Sequence, residues 1–163
     1  MIFDAPLTEK GRMQAEQVRG AVIDLGIQQV ITSPLTRAIQ TALTIFQDSV
    51  PIKVMAEHRE LLSHSCDVGR SPSTLQMDFP NLYFEHLDEI WWHQGPMNKN
   101  GVPVEARDVF QKRIRNFGLE INKMSEINLA IVGHGDVFRE LAGVSMANCE
   151  IRKYESSGLN HLN

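Results

Sequence analysis

Two short apolar runs, each breaking at once into a tight turn and a helix, constrain this chain more than any other feature. Val30-Ile31-Thr32 runs into Ser33-Pro34, and Ala130-Ile131-Val132 runs into Gly133-His134-Gly135. A short continuous apolar run bounded by turn residues is the mark of a buried strand, and a helix directly after it points to βα units on a parallel sheet. Ser33 is expected to cap the first helix with Pro34 at its first position, and Ala38, Ile39, Ala42, Ile45 and Phe46 give it an apolar face. The second helix is expected from Val137 to Leu141 with Gly143 ending it, and Leu129 to Val132 is expected as a strand covered on both faces.

The rest of the chain fits the same alternation. Thr8 is a candidate N-cap for a helix whose apolar positions are Ala15, Val18, Ala21, Val22 and Leu25, stopped by Gly26. Pro51 to Met55 reads as another short strand. Ala106, Val109, Phe110, Ile114, Phe117, Ile121 and Met124 form one long amphipathic stripe. Strands alternating with helices define an α/β layered fold. The stretch 57–103 stands apart, with four of the seven prolines, both tryptophans and little periodicity. Short helices are expected from Ser71-Pro72 and over Glu85 to Trp92, and a segment this irregular is expected to cover a pocket. Trp91 and Trp92 read as packing residues.

Composition removes several function classes. At 163 residues the chain suits one domain, and 42% hydrophobic with 22% charged residues is ordinary globular usage. Sixteen basic against twenty acidic side chains, a net charge of −4, argue against a nucleic-acid coat or a polybasic membrane anchor. No apolar run approaches the roughly 18–20 residues of a membrane span. Two cysteines, Cys66 and Cys149, suit reduced thiols in a cytoplasmic protein.

Ligands of open α/β sheets gather at the carboxyl ends of the strands, where helix N-termini favour anions. Arg37, early in the first of these helices, carries a permanent charge and a donor fork matched to phosphate. His134 offers a titratable donor at the other junction, between glycines that let a ligand approach the backbone. Together they point to an anion site at the two junctions. Other motifs fail on spacing. Cys66-Asp67-Val68-Gly69-Arg70-Ser71 resembles a cysteine-phosphatase loop, but the position where that chemistry needs arginine is Pro72. His58, Glu60 and His64 do not follow the His-Glu-x-x-His spacing of a zinc site. Arg70, Lys99 and Arg107 read as solvated side chains or a second phosphate subsite.

Three blocks carry a family resemblance that spans nearly the whole chain. Asp4-Ala5-Pro6-Leu7-Thr8-Glu9-Lys10-Gly11-Arg12, then Thr32-Ser33-Pro34-Leu35-Thr36-Arg37-Ala38-Ile39-Gln40-Thr41-Ala42, then Val132-Gly133-His134-Gly135 resemble the histidine phosphatase superfamily, the phosphoglycerate-mutase-like proteins. The resemblance implies a three-layer α/β/α sandwich of phosphoglycerate-mutase type. It also implies phosphomonoester hydrolysis through a phosphohistidine, without metal or organic cofactor. Carried over by position, Arg37, His134 and Gly135 bind the phosphoryl group, and Glu60 protonates the leaving group, with Asp136 as the competing acid. The middle segment lacks the Arg/Tyr/Pro-rich insertion of the mutases, which favours phosphatase over mutase. The family's nucleophile lies in an Arg-His-Gly motif on a central first strand, and the chain contains no Arg-His-Gly. The expectation is therefore one N-terminally incomplete domain over residues 1–163, truncated rather than a true pseudoenzyme, impaired or inactive in turnover. The alternative is a phosphate-binding or scaffold relative. The implied partner is a small phosphorylated substrate or inorganic phosphate, with no nucleic acid or membrane. A sheet edge left exposed by the absent strand is a possible route to a homo-oligomer.

Overall fold

The computed structural model describes residues 1–125 and 128–155. Helix α1 (Glu9–Val22) starts where Thr8 Oγ1 accepts from Gly11 N at 3.1 Å. It runs through a 3-10 turn into Gly26, whose φ of +59° ends it in the left-handed conformation that glycine adopts freely. Strand β1 (Gln29–Thr32) follows, then α2 (Thr36–Phe46), β2 (Ile52–Val54) and α3 (Pro72–Asp78). The order closes with α4 (Arg107–Ile121), β3 (Leu129–Val132) and α5 (Gly135–Ala142). The three strands form a parallel sheet in the order β2-β1-β3, with Val30 beside Ile52 and Ala130, and Ile31 beside Lys53 and Ile131.

The alternation of side chains along β1 divides the core between the two faces of the sheet. Val30 packs with Ala15 of α1 and Ala42, Ile45 and Phe46 of α2. Ile31 packs with Phe110, Ile114 and Phe117 of α4 and Val137 and Leu141 of α5. Helices therefore cover both faces, the three-layer arrangement that the residue pattern implies. A third cluster joins Leu35, Ile39 and Val54 to Leu75, Phe84 and Trp91, so the irregular middle segment packs on α2 and β2.

Four local expectations are corrected. Helix α2 begins at Thr36, not at Pro34, and its first N–H is satisfied by a distant carboxylate: Thr36 N donates to Asp4 Oδ1 at 2.7 Å. Ser33 Oγ accepts from Leu35 N instead, inside the turn. Glu85 to Trp92 forms turns and no helix. Its polar groups bond outward, His86 Nε2 donating to Val54 O and Trp91 Nε1 to Arg70 O, both at 2.8 Å, and tertiary pairing replaces the helical ladder. The long stripe ends at Ile121, leaving Met124 beyond α4 and Val109 on its exposed side. Strand β3 is half-buried at all four positions rather than enclosed, because among the described residues it has one strand neighbour, β1, and a groove of about 1240 Å³ runs along it.

Candidate active site

At the carboxyl end of β3, Arg37, Glu60, Gly133, His134 and Gly135 line the groove together. These come from three elements separated by up to about a hundred positions in sequence. The parallel register that sets Thr32 beside Val132 brings the β1–α2 and β3–α5 turns side by side. His134 is the N-cap of α5, buried, and its Nε2 has no hydrogen-bond partner among the described residues. Burial holds the imidazole pKa well below its usual value, and the positive charges of Arg37 and Arg113, with His58 nearby, act in the same direction. A neutral ring keeps one N–H and one lone pair, so His134 can give a single hydrogen bond to an arriving oxyanion. The two glycines beside it differ. A Cβ at Gly133 would meet His58 Cδ2 at 3.3 Å, whereas a Cβ at Gly135 would meet nothing within 4 Å. Gly133 serves packing, and Gly135 leaves open space at the helix start.

Glu60 reaches the same turn from the segment after β2. Its Oε1 accepts from Leu61 N at 3.0 Å, and its Oε2 lies 3.5 Å from Asp136 N, the second N–H of α5. Burial raises the pKa of its carboxyl, and the negative charges of Asp136 and Asp67 raise it further, so it holds a proton to higher pH than a surface glutamate. Asp136, the competing acid, is turned to Arg139 in an ion pair on the outside of α5. A buried ion cluster fixes the turn that carries Glu60. Glu105, with no side-chain exposure, accepts from Arg113 Nη2 at 2.6 Å and Nε at 3.0 Å, while Arg113 Nη1 donates to the carbonyls of Glu57 and Arg59 at 2.7 and 2.9 Å.

Arg37, second residue of α2, has its terminal nitrogens tethered, Nη1 to Cys66 O and Nη2 to Asp67 Oδ1, each at 2.8 Å. The expectation of two open helix N-termini is corrected: that of α2 is filled by Asp4. Asp4 accepts from Thr36 N and Oγ1 and from Arg70 Nε, the last at 2.8 Å. Arg70 is thereby part of the frame rather than a second anion subsite, donating also to Asp78 and Thr36. Arg107 pairs with Glu140. The roles of Asp4, Asp67 and His58 escape sequence reading, since no periodicity links positions thirty or seventy apart. The only signal was that Asp4 and Asp67 stood inside blocks singled out for other reasons.

A profile of the histidine phosphatase superfamily (branch 1) matches residues 3–160. The chain belongs to that superfamily. Among its relatives, phosphoglycerate mutase-like protein 1 of Arabidopsis thaliana is 30% identical over 204 residues, covering 92% of this chain and 69% of the relative. The adenosylcobalamin/alpha-ribazole phosphatase of Escherichia coli K12 is 24% identical over 134 residues, covering 81% of this chain and 63% of the relative. The chain spans between 34% and 78% of the length of the curated relatives it matches. The crystal structure of the alpha-ribazole phosphatase from Shigella flexneri superposes with a TM-score of 0.58 at 22% identity, covering 88% of this chain and 71% of that one. That last likeness is one of fold, and it agrees with the α/β/α layering. The family contains both phosphatase and mutase-like members, and no described helix is long and apolar enough to cross a membrane.

Proposed function

We propose that this chain binds the phosphoryl group of small phosphomonoesters at the carboxyl end of β3, as a phosphatase-type rather than a mutase-type member of its family. The observation that carries the reading is the convergence of Arg37, Glu60, His134 and Gly135 on one groove, with a buried His134 Nε2 that has no partner among the described residues. Arg37 supplies the permanent charge, His134 a hydrogen bond, and the N-terminal end of α5 at Gly135 a partial positive charge. Glu60 is the proton donor to the leaving oxygen. A carboxyl whose ionisation is opposed by burial and by two neighbouring acids keeps its proton to higher pH than a surface glutamate, which suits that role. The substrate is a small phosphorylated molecule in the cytoplasm, and the segment 57–103 shapes the site through Glu60 and Asp67.

Phosphoryl transfer to a histidine requires the Arg-His-Gly motif of the family, which the 163 residues do not contain. We therefore assign these residues binding, orientation and leaving-group protonation, and expect turnover by this chain to be impaired. Titration with inorganic phosphate is expected to saturate in the wild type and to weaken at least ~tenfold, while staying measurable, in Arg37→Ala and His134→Ala. Single-turnover mixing with an aryl phosphate is expected to give no phosphoenzyme. Absence of saturable phosphate binding would overturn the site, and a phosphoenzyme would overturn the assignment of impaired chemistry. The half-buried β3 further supports association of two copies through that edge, since unpaired strand groups are satisfied by another strand. Sedimentation across a hundredfold concentration range is expected to show a dimer, and a monomer throughout would reject it.

A further inference from the structure

The segment Cys66–Arg70 supplies no group to the chemistry above, yet through Asp67 it touches the site at Arg37. We propose that Asp67 is a positioning residue, which sets the Arg37 guanidinium for phosphoryl binding. This inference rests on the reading that Arg37 binds phosphate and adds what holds it there. Asp67 is buried, and its Oδ1 accepts from Arg37 Nη2 at 2.8 Å while its Oδ2 accepts from His64 N at 3.3 Å. The carbonyl of the preceding residue, Cys66, takes Arg37 Nη1 at 2.8 Å. Two consecutive residues therefore grip both ends of the fork.

The grip is itself anchored. Asp67 lies in a 3-10 turn, Ser65–Asp67, closed by His64 at its start. The next residue, Val68, accepts from Asp4 N at 3.0 Å, and Arg70 bonds Asp4 and Thr36, the residue before Arg37. Gly69 packs so closely against Trp91 that a Cβ there would overlap the indole ring. The backbone on both sides of the Asp67–Arg37 pair is thus tied to the start of α2. A guanidinium carries five N–H donors, of which this clamp uses two, so donors remain for a ligand in the groove that Arg37 lines. A free arginine must give up rotamer freedom when it binds, and a pre-ordered one has already lost it, which raises affinity. The opposing effect is electrostatic, since the Asp67 charge weakens the attraction of Arg37 for an anion. Geometry decides the sign here because Asp67 faces α2 from a buried turn, whereas Arg37 opens on the groove.

The test is a double-mutant cycle read by isothermal titration with inorganic phosphate on the full chain, with thermal melting as a control. Asp67→Asn is expected to weaken phosphate binding about tenfold, and Asp67→Glu to recover part of the loss. In an Arg37→Met background, Asp67→Asn is expected to add nothing, because the aspartate acts only through that arginine. Unchanged or tighter binding in Asp67→Asn overturns the proposal, as does an equal loss in both backgrounds, which would mark general damage to the fold. If Arg37→Met binds phosphate like wild type, the underlying site fails instead, and the two failures are distinct. Should Asp67→Asn not fold, the wild-type guanidinium resonances decide. Restricted rotation gives resolved Arg37 Nη proton signals in a 15N spectrum, and a single averaged signal rejects the clamp.

Discussion

Replacing His58 with phenylalanine isolates one titration from all others in this protein. His58 is fully buried, its ring stacks on Phe117 with centroids 4.5 Å apart, and its Nε2 donates to Val132 O at 3.2 Å. Burial lowers its pKa from 6.5 to about 4; the nearby Arg113 charge lowers it too, while the Val132 carbonyl opposes both. The unfolded chain therefore binds a proton at His58 before the folded one does. Its contribution to stability is full above pH 6.5 and is lost as pH falls toward about 4. At about 1.4 kcal/mol per unit, this single group accounts for about 3 kcal/mol between those limits. His134, also depressed, adds in the same direction, whereas Glu60, raised, gains stability as pH falls. Urea unfolding by circular dichroism, from about pH 7 down to about pH 4, reads the difference between wild type and His58→Phe. The carboxylates common to both proteins cancel in that difference. The phenylalanine keeps the stack on Phe117 and loses one hydrogen bond, about 1 kcal/mol near pH 7. It is then expected to lose about 3 kcal/mol less than wild type on acidification. Parallel stability curves for the two proteins would refute the buried neutral histidine.

Three further outcomes follow from particular contacts. Gly69→Ala drives a methyl into the Trp91 ring, so a loss of about 1–3 kcal/mol is expected in thermal or urea melts, and an unchanged midpoint would show that Trp91 can move aside. Glu105→Leu leaves Arg59 and Arg113 buried without their counter-charge, and a loss of about 3–5 kcal/mol is expected, with phosphate affinity less affected than stability. Glu60→Gln is expected to leave phosphate affinity within about threefold at fixed pH and to remove only the part of the pH dependence of binding that protonation of Glu60 contributes, read as the difference between wild-type and variant titrations across a pH series.

Much of the architecture is written in local signals. The two strand-to-helix junctions, the Thr8 cap, the Ser71-Pro72 helix start and the left-handed Gly26 and Gly143 are each decided within a few residues, by hydrogen bonds and sterics that act at short range. The positions of Arg37, Glu60 and His134 could likewise be marked before folding, because strand ends and helix starts are where a parallel sheet presents them. What local pattern could not convey is how those groups are held. The first N–H of helix α2 is taken by Asp4, thirty-two positions away. Glu85 to Trp92 has helical composition yet forms turns, since His86 and Trp91 bond to β2 and to Arg70 instead of to each other's backbone. Arg37 looks like a free cation in the sequence and is a gripped one in the fold. Strand β3 has the apolar run of an enclosed strand, but enclosure depends on which neighbours reach it, and its own residues cannot specify that. The sequence by itself determined the parallel α/β frame and which side chains stand at its carboxyl edge. Only the tertiary structure decided their orientation and the direction in which Glu60 and His134 are pushed from their usual pKa, because desolvation and long-range pairing exist only once distant segments have packed.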